Sequence, residues 1–163
     1  MTLEELLARE AIRDTMAKYN TSGDRLKVND FAACFTEDGV IESERAPGDY
    51  IFRYESRAAI LEWQQRWLIR EPGNNVVHGA SFVRHHLATC KIDMTGLGTA
   101  TARTYWVAWT DIGPDHSGYY LDDFRKVGED WLIARRRVRR DWSAPDSLFV
   151  TAIANTEKAY RDG

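Results

Sequence analysis

The order of hydrophobic patterns along the chain predicts an α+β fold, with the helices segregated to one face of a strongly bent sheet. Three segments within roughly the first 70 residues repeat apolar side chains at helical spacing, and long runs typical of β-strands follow them. No internal repeat and no linker divides the 163 residues. We therefore expect one domain spanning residues 1–163.

The first helix is predicted from Thr2 to Tyr19. Thr2 followed by Glu5 is a capping-box pattern, and the apolar residues after it recur at helical spacing. The segment Asn20–Asp24 consists of turn-forming residues and is expected to end this helix. Taken alone, Asp24 is most simply a solvent-exposed turn residue.

A short helix, a strand and a third helix are expected next. The second helix covers Val28–Phe35, and Glu37-Asp38-Gly39 is expected to end it before a strand begins at Val40. Ser56 is a candidate N-cap for the third helix, which Pro72-Gly73 would close. Helices therefore dominate the first half of the chain.

The second half predicts an antiparallel meander. Its strands are separated by glycines, by Pro114 and by a hairpin loop at 127–130. A bulge is expected at Gly79, and a terminal helix is expected over Asp146–Tyr160. The predicted strands are Val76–Met94, Thr99–Asp111, Gly118–Lys126 and Trp131–Trp142.

Composition and charge exclude several classes of function. The 22 Lys+Arg and 25 Asp+Glu give a net charge of −3, so the chain lacks the positive field that gathers a nucleic-acid backbone. No apolar run approaches the ~18 residues that a membrane span needs, and the acidic N-terminal segment does not resemble a signal peptide. We expect a cytoplasmic protein that binds neither nucleic acid nor membranes.

Few sequence signals point to specific chemistry. The chain has no glycine-rich phosphate loop, no GxSxG elbow and no HExxH motif. His85 and His86 lie within an apolar strand, and strand alternation sends their rings to opposite faces. Only one of them can face a given cavity, and two adjacent strand residues cannot converge on one metal ion. Which histidine faces inward stays open.

Arg136 stands out among the basic residues of the last strand. It shares strand parity with Leu132, Ala134 and Val138, which are apolar and are expected to point inward. A buried guanidinium needs an anion or an acceptor beside it. That partner is either a structural carboxylate such as Asp122 or a substrate, and the sequence does not choose between them.

Four short motifs spread over almost the whole chain form a recognisable pattern. They are Tyr19-(x4)-Asp24, the stretch from Phe31 to Asp38-Gly39, the run His85-His86-Leu87-Ala88-Thr89, and Tyr119-(x3)-Asp123 with Gly128-(x2)-Trp131 and Arg136. This pattern resembles the SnoaL-like family of the nuclear transport factor 2-like superfamily. The resemblance implies a cone-shaped fold of cystatin-like topology, in which a curved mixed or antiparallel sheet and N-terminal helices enclose an apolar pocket.

The resemblance also implies candidate site residues. His85 matches the catalytic base of dehydratases and dehydrochlorinases of the family, and Asp24 matches the carboxylate that orients this base. Tyr19 and Arg136 match pocket residues and complete the candidate catalytic set. No cofactor and no metal ion is implied. The expected substrate-binding residues are Phe31, Val83, Thr104 and Trp106.

A His–Asp dyad in an apolar pocket has a definite chemistry. The carboxylate accepts a hydrogen bond from one ring nitrogen, which leaves the other nitrogen free to take a proton. The expected function is a cofactor-independent lyase or isomerase that abstracts a proton from a small hydrophobic, cyclic substrate. Thr104 stands where dehydratases of the family place a second histidine, so the substrate stays open.

Two alternatives belong to the same fold. One is a non-catalytic ligand-binding or scaffold subunit, such as the small subunit of a ring-hydroxylating dioxygenase, and the other is a polyketide cyclase. A sheet of this kind has an outer face with apolar residues, here Trp109 and Trp131, which self-association would cover. We therefore expect a homodimer or a homotrimer.

Overall fold

A computed structural model describes residues 1–44, 51–70 and 80–149. In these ranges the chain has an α+β fold in which helices pack on a six-stranded mixed sheet, as the sequence predicts. The helices are α1 (Leu3–Gly23), α2 (Val28–Ala32) and α3 (Arg57–Arg70). The strands are β1 (Phe35–Ser43), β2 (Arg53–Glu55), β3 (Arg84–Gly96), β4 (Thr99–Thr110), β5 (Gly113–Val127) and β6 (Asp130–Ser143).

The sheet has the strand order β2-β1-β6-β5-β4-β3. Four of its five strand pairs are antiparallel, and β1 pairs with β6 in parallel. Register shifts interrupt the pairing of β1 with β6, β3 with β4, β4 with β5, and β5 with β6. Each such irregularity bends a strand and increases its twist, so the sheet is curved and unclosed.

Helix α1 continues four residues beyond its predicted end. The capping box is present, because Thr2 Oγ1 accepts from the Glu5 N–H and Glu5 Oε2 accepts from the Thr2 N–H. Thr21 and Ser22 do not break the helix, because their hydroxyls donate to carbonyl groups one turn earlier. The helix therefore ends at Gly23 and leaves Asp24 at its C-cap.

The segment between α2 and α3 differs from the prediction in three respects. Helix α2 ends three residues early, and β1 begins already at Phe35, because a register shift between Phe35 and Val40 carries the strand through Glu37-Asp38-Gly39. Strand β2 was not predicted, and it extends the sheet beyond β1. Ser56 does cap α3, with its Oγ accepting from the Ala59 N–H at 3.2 Å.

The last four strands follow the predicted meander with changed ends. Strand β3 begins at Arg84, and the predicted start at Val76 lies outside the described residues. Strand β5 begins five residues earlier than predicted, at Gly113. Pro114 therefore lies inside a strand, opposite Trp109. The predicted bulge at Gly79, the predicted stop at Pro72-Gly73 and most of the terminal helix predicted over 146–160 lie outside the described residues.

Trp131 is a core residue and not part of the outer face. It is 5% exposed, whereas Trp109 is 41% exposed. The sequence prediction assumed that side chains alternate regularly along β6, which would place Trp131 on the outer face. A bulge at Ala134 interrupts this alternation, because Asp123 pairs with Arg135 and the next residue of β5 pairs with Ile133. The homodimer or homotrimer stays a prediction.

The hydrophobic core lies between the helices and the concave face of the sheet. The core includes Ile12, Met16, Phe31, Phe35, Ile41, Ile60, Ile92, Phe124 and Ile133.

Within the described ranges, no helix is both long enough and apolar enough to span a membrane.

Candidate active site

A cavity of about 200 Å³ opens between the helices and the concave face of the sheet. Its wall is mainly aromatic and aliphatic, and a few polar side chains interrupt it, which is the usual composition of a small-molecule site. The apolar lining includes Leu26, Phe31, Ile41, Phe52, Trp63, Val83, Trp106, Val138 and Phe149. The polar lining includes Tyr19, Asn20, Asp24, Gln64, His85, His116 and Tyr120.

His85 and Asp24 form a hydrogen-bonded pair in this wall. Asp24 Oδ1 lies 2.6 Å from His85 Nδ1, and Asp24 Oδ2 accepts from the backbone N–H of His85 at 2.9 Å. The carboxylate thus holds both the ring and the backbone of the histidine. The Asp24 side chain is 7% exposed and the His85 side chain 18%. Because Asp24 is an acceptor at Nδ1, the neutral imidazole carries its proton there and keeps a lone pair on Nε2.

His86 lies on the other face of strand β3. Its side chain is exposed, and its ring lies 6.2 Å from the ring of Trp109 on the outer surface. The ring of His85, in contrast, contacts the cavity residue Trp106 edge-on, with 5.7 Å between the ring centroids. The structure thus answers the question that the sequence left open, and places His85 at the cavity.

Two tyrosines lie beside each other in the wall. The ring centroids of Tyr19 and Tyr120 are 5.9 Å apart, and the guanidinium of Arg136 lies 4.0 Å and 4.1 Å from them. Burial raises the pKa of Tyr19 to about 12, although Arg136 opposes this, and burial also raises the pKa of Tyr120. Both groups therefore remain neutral phenols, which can donate a hydrogen bond.

Arg136 does not line the cavity, which corrects its expected place among the residues that meet a substrate. It is 1% exposed and forms a two-pronged ion pair with Asp122, with Nε to Oδ1 and Nη2 to Oδ2 both at 2.7 Å. Burial opposes the charge, but the attraction and hydrogen bonds of Asp122 outweigh it and raise the pKa of Arg136. Of the two partners considered from the sequence, the structure contains the carboxylate. The arginine lies behind the tyrosines.

Thr104 is also absent from the cavity lining, contrary to the expectation that it binds substrate. Its hydroxyl donates to Cys90 Sγ at 3.2 Å and lies 3.8 Å from Met16 Sδ. Strand β4 does turn this residue inward, but the side chain of Met16 on α1 lies against it. The other three expected substrate-binding residues, Phe31, Val83 and Trp106, do line the cavity.

The wall contains a second histidine, which was not predicted from the sequence. His116 is 4% exposed, and its Nδ1 lies 2.7 Å from Oδ1 of Asp115, the preceding residue. Adjacent strand residues normally point to opposite faces. Here Asp115 is the extra residue of a bulge, because Ala108 pairs with His116 and Trp109 pairs with Pro114, and both side chains turn inward. The adjacent Asp and His were the available signal, but the predicted strand began after them.

The surroundings of this second pair determine its charge. Burial lowers the pKa of His116 to about 4, with the neighbouring His85 adding to the effect. Burial on its own would raise the pKa of Asp115, but hydrogen bonds from Ser147, His116 and the Leu148 N–H outweigh it and lower that pKa. At neutral pH the pair is therefore a carboxylate with a neutral imidazole.

The sheet explains why the two histidines are neighbours. His85 on β3 pairs with Ala108 on β4, and Ala108 pairs in turn with His116 on β5, so the three residues form one row across the sheet. The small side chain between them lets the rings approach to 5.8 Å between centroids. Among the described residues, no three His, Cys, Asp or Glu side chains are grouped as a metal site requires.

Comparison with known structures gives the fold independent support. A protein of unknown function from Mycobacterium tuberculosis is 24% identical, with a TM-score of 0.75 over 98% of this chain and 92% of that one. A candidate scytalone dehydratase from Novosphingobium aromaticivorans is 25% identical, with a TM-score of 0.69 over 88% and 91%. A hexachlorocyclohexane dehydrochlorinase from Novosphingobium barchaimii is 13% identical, with a TM-score of 0.67 over 88% and 92%.

Family-level comparison is more specific than these structural similarities. No curated protein matches the sequence. The family model described as "SnoaL-like domain", however, matches residues 4–137, a range that includes nearly all of α1, most of the residues that line the cavity and the first part of β6. The chain therefore belongs to the SnoaL-like domain family.

Proposed function

We propose that this protein is a cofactor-independent lyase or isomerase, with His85 as the general base and Asp24 as its orienting carboxylate. The observation that carries the proposal is the 2.6 Å contact between Asp24 Oδ1 and His85 Nδ1 in the wall of an apolar cavity. The substrate class is a small hydrophobic, cyclic molecule. The similar folds described as a dehydratase and a dehydrochlorinase support this class of reaction.

The chemistry begins at the Nε2 atom of His85. Its lone pair takes a proton from a C–H group of the substrate, and Asp24 stabilises the imidazolium that forms. When the C–H group is next to a carbonyl, the electron pair moves to the carbonyl oxygen, and the Tyr19 hydroxyl can donate a hydrogen bond to the resulting enolate. When the substrate also has a C=C bond conjugated with this enolate, returning the proton to the far carbon of that bond shifts the double bond and completes an isomerisation. When the adjacent carbon carries a hydroxyl group or a halogen, the electron pair of the C–H bond forms a C=C bond, and the substituent leaves as hydroxide or halide.

Arg136 has an indirect part in this proposal. Because Asp122 neutralises it and the two tyrosines separate it from the cavity, it is a positioning residue and does not meet a leaving group. Its guanidinium packs on both rings and fixes their orientation. Within the cavity wall, His85 then serves as the proton acceptor and Tyr19 as a hydrogen-bond donor, and aromatic and aliphatic side chains provide much of the surface around them.

Deuterium exchange into β-tetralone, a small bicyclic ketone with acidic C–H groups, tests the proposal. In D₂O, the wild-type protein should accelerate exchange at the carbons beside the carbonyl, as followed by proton NMR. His85→Gln should lose this acceleration, and His86→Gln, on the exposed face of the same strand, should keep it. Binding of the ketone without acceleration by the wild type would contradict the proposal and favour the non-catalytic alternative.

A further inference from the structure

The Nε2 atom of His116 is an unused hydrogen-bond acceptor at the cavity. Nδ1 is held by Asp115, and no hydrogen bond joins Nε2 to any of the described residues. This atom is not among the polar atoms sealed inside the protein, although the residue as a whole is only 4% exposed. Because the ring lines the cavity, the surface that Nε2 retains faces the cavity.

A purely structural role does not account for this residue. Asp115 is satisfied without it, since Thr110 Oγ1, Ser147 Oγ and the Leu148 N–H already donate to the carboxylate. A buried structural histidine ordinarily has partners on both ring nitrogens. His116 is instead fixed on one side by the carboxylate and stacked on Phe149, at 4.6 Å between centroids, with its second nitrogen open.

Besides the amides of Asn20 and Gln64 and the charged side chains of Glu44 and Arg140, the cavity wall has two imidazoles and two phenols. The ring centroids of His85 and His116 are 5.8 Å apart. In each ring the Nδ1–H group donates a hydrogen bond to a carboxylate, so Nε2 carries a lone pair that can accept one. Tyr19 and Tyr120 offer hydroxyl donors. The depressed pKa of His116 keeps its ring neutral at pH 7, so it accepts rather than donates. One base is sufficient for proton abstraction, and the second acceptor needs another partner.

We propose that His116, positioned by Asp115, is a substrate-binding residue whose Nε2 accepts a hydrogen bond from a hydroxyl group of the ligand, so that the cavity takes a hydroxylated cyclic molecule. The inference rests on the proposed function only in assigning the substrate to the same cavity. It makes the substrate class more specific. A halogenated hydrocarbon has no donor for this nitrogen, whereas a hydroxylated ring has one.

Selectivity follows from the same contact. A site built to bond a hydroxyl group discriminates against an analogue that lacks it, because the analogue leaves a buried acceptor without a partner. The bound hydroxyl also fixes the orientation of the ring, and so determines which C–H group lies next to His85. His116 thus acts on binding and orientation, while His85 acts on the proton.

Binding of β-naphthol and of its methyl ether tests the proposal. The two probes share the ring system and the oxygen atom, and only the naphthol has a donor. The wild type should bind the naphthol at least about tenfold more tightly in calorimetric titration at pH 7. Equal affinity for the two probes would overturn the proposal without any variant.

Three variants locate the acceptor. His116→Phe keeps an aromatic ring and should lose most of the preference for the naphthol. His116→Gln should retain part of it, because an amide oxygen can still accept. The matched control His86→Phe, on the outer surface, should leave the preference unchanged. A folded His116→Phe protein that keeps the full preference would show that another group is the acceptor and would overturn the proposal.

A measurement on the wild type covers the case in which the His116 variants do not fold. The nitrogen NMR resonance of His116 Nε2 should shift on addition of β-naphthol and not on addition of the ether. An unchanged resonance at saturating naphthol would overturn the proposal. Because these measurements concern binding, they are independent of the β-tetralone exchange, so loss of exchange alone would refute the base and not the hydroxyl site.

Discussion

The two His–Asp pairs at the cavity have the same kind of hydrogen bond, from the Nδ1 atom of the ring to a carboxylate oxygen. Their surroundings differ in almost every respect. The Nδ1 to Oδ1 distance is 2.6 Å for His85–Asp24 and 2.7 Å for His116–Asp115. The first pair joins the end of α1 to strand β3, 61 residues apart, and its histidine side chain is 18% exposed. The second joins neighbours within one strand, and its histidine side chain is 4% exposed.

The surroundings of each imidazole, and not its hydrogen bond to a carboxylate, therefore determine what it can do. Asp24 gives its second oxygen to the backbone of the same histidine. The carboxylate of Asp115 accepts hydrogen bonds from three further donors. Burial lowers the pKa of His116 to about 4, so its ring stays neutral at any pH well above that value. In our proposals the first pair is a base and the second is a fixed acceptor.

Disabling the first pair gives the largest expected effect. His85→Gln should reduce exchange of β-tetralone by about 10²–10⁴-fold, the usual contribution of a general base. Asp24→Asn should also be severe, because an amide can hold the ring in the wrong tautomer. The two losses should not add, since both changes disable one unit. A double variant much slower than either single variant would show that the residues act separately.

A buried ion pair, Arg136–Asp122, provides a comparison outside the cavity. Arg136→Met keeps much of the volume but leaves a buried carboxylate without a partner, so the free energy of unfolding should fall by about 3–5 kcal/mol. Arg136→Met combined with Asp122→Leu should recover much of it. Denaturant unfolding measures both. An unchanged midpoint for Arg136→Met would mean that the pair contributes little to stability.

The second pair should make stability depend on pH. The pKa of His116 is about 4 in the folded protein and about 6.5 in the unfolded chain, so the unfolded state binds more protons between these values. The contribution of His116 to the free energy of unfolding is therefore complete above about pH 6.5 and is lost as the pH falls to 4. The free energy of unfolding should fall by about 3 kcal/mol over this range. His116→Phe should flatten the profile of unfolding free energy in this window. Parallel profiles for the two proteins would contradict the assignment.

The smallest effect concerns a single donor to Asp115. Thr110→Val preserves the shape of the side chain and removes its 3.1 Å hydrogen bond to Asp115 Oδ2. We expect the free energy of unfolding to fall by about 1.5 kcal/mol, as for other hydrogen bonds to a charged group. Thr101→Val, at a half-buried position on the same strand, is the matched control. A loss no greater than that of the control would mean that the remaining donors compensate for this one.

Local patterns in the sequence were sufficient to predict most of the helices and strands. The capping box at Thr2, the N-cap at Ser56 and the alternation of the strands depend on contacts within a few residues, and these can be read directly. The resemblance to the family brought Asp24 and His85 together, and the structure places them in hydrogen-bonding contact. The inward direction of Arg136 was predicted as well. Of the three neighbours used for that prediction, Val138 does line the cavity, whereas Leu132 and Ala134 lie before the bulge or in it.

The face of the sheet to which a side chain points depends on how the strands pair, and this could be seen only in the tertiary structure. The bulge at Ala134 exchanges the faces of the residues before it, and so turns Trp131 into the core while Arg136 still meets Asp122. The bulge at Asp115 turns two consecutive residues to the same side and creates the second pair. A bulge adds one residue to one strand only, so its position depends on the partner strand and cannot be read from the alternation of a single strand. The sequence therefore determined which residues are available for chemistry, and the pairing of the strands determined which of them reach the cavity.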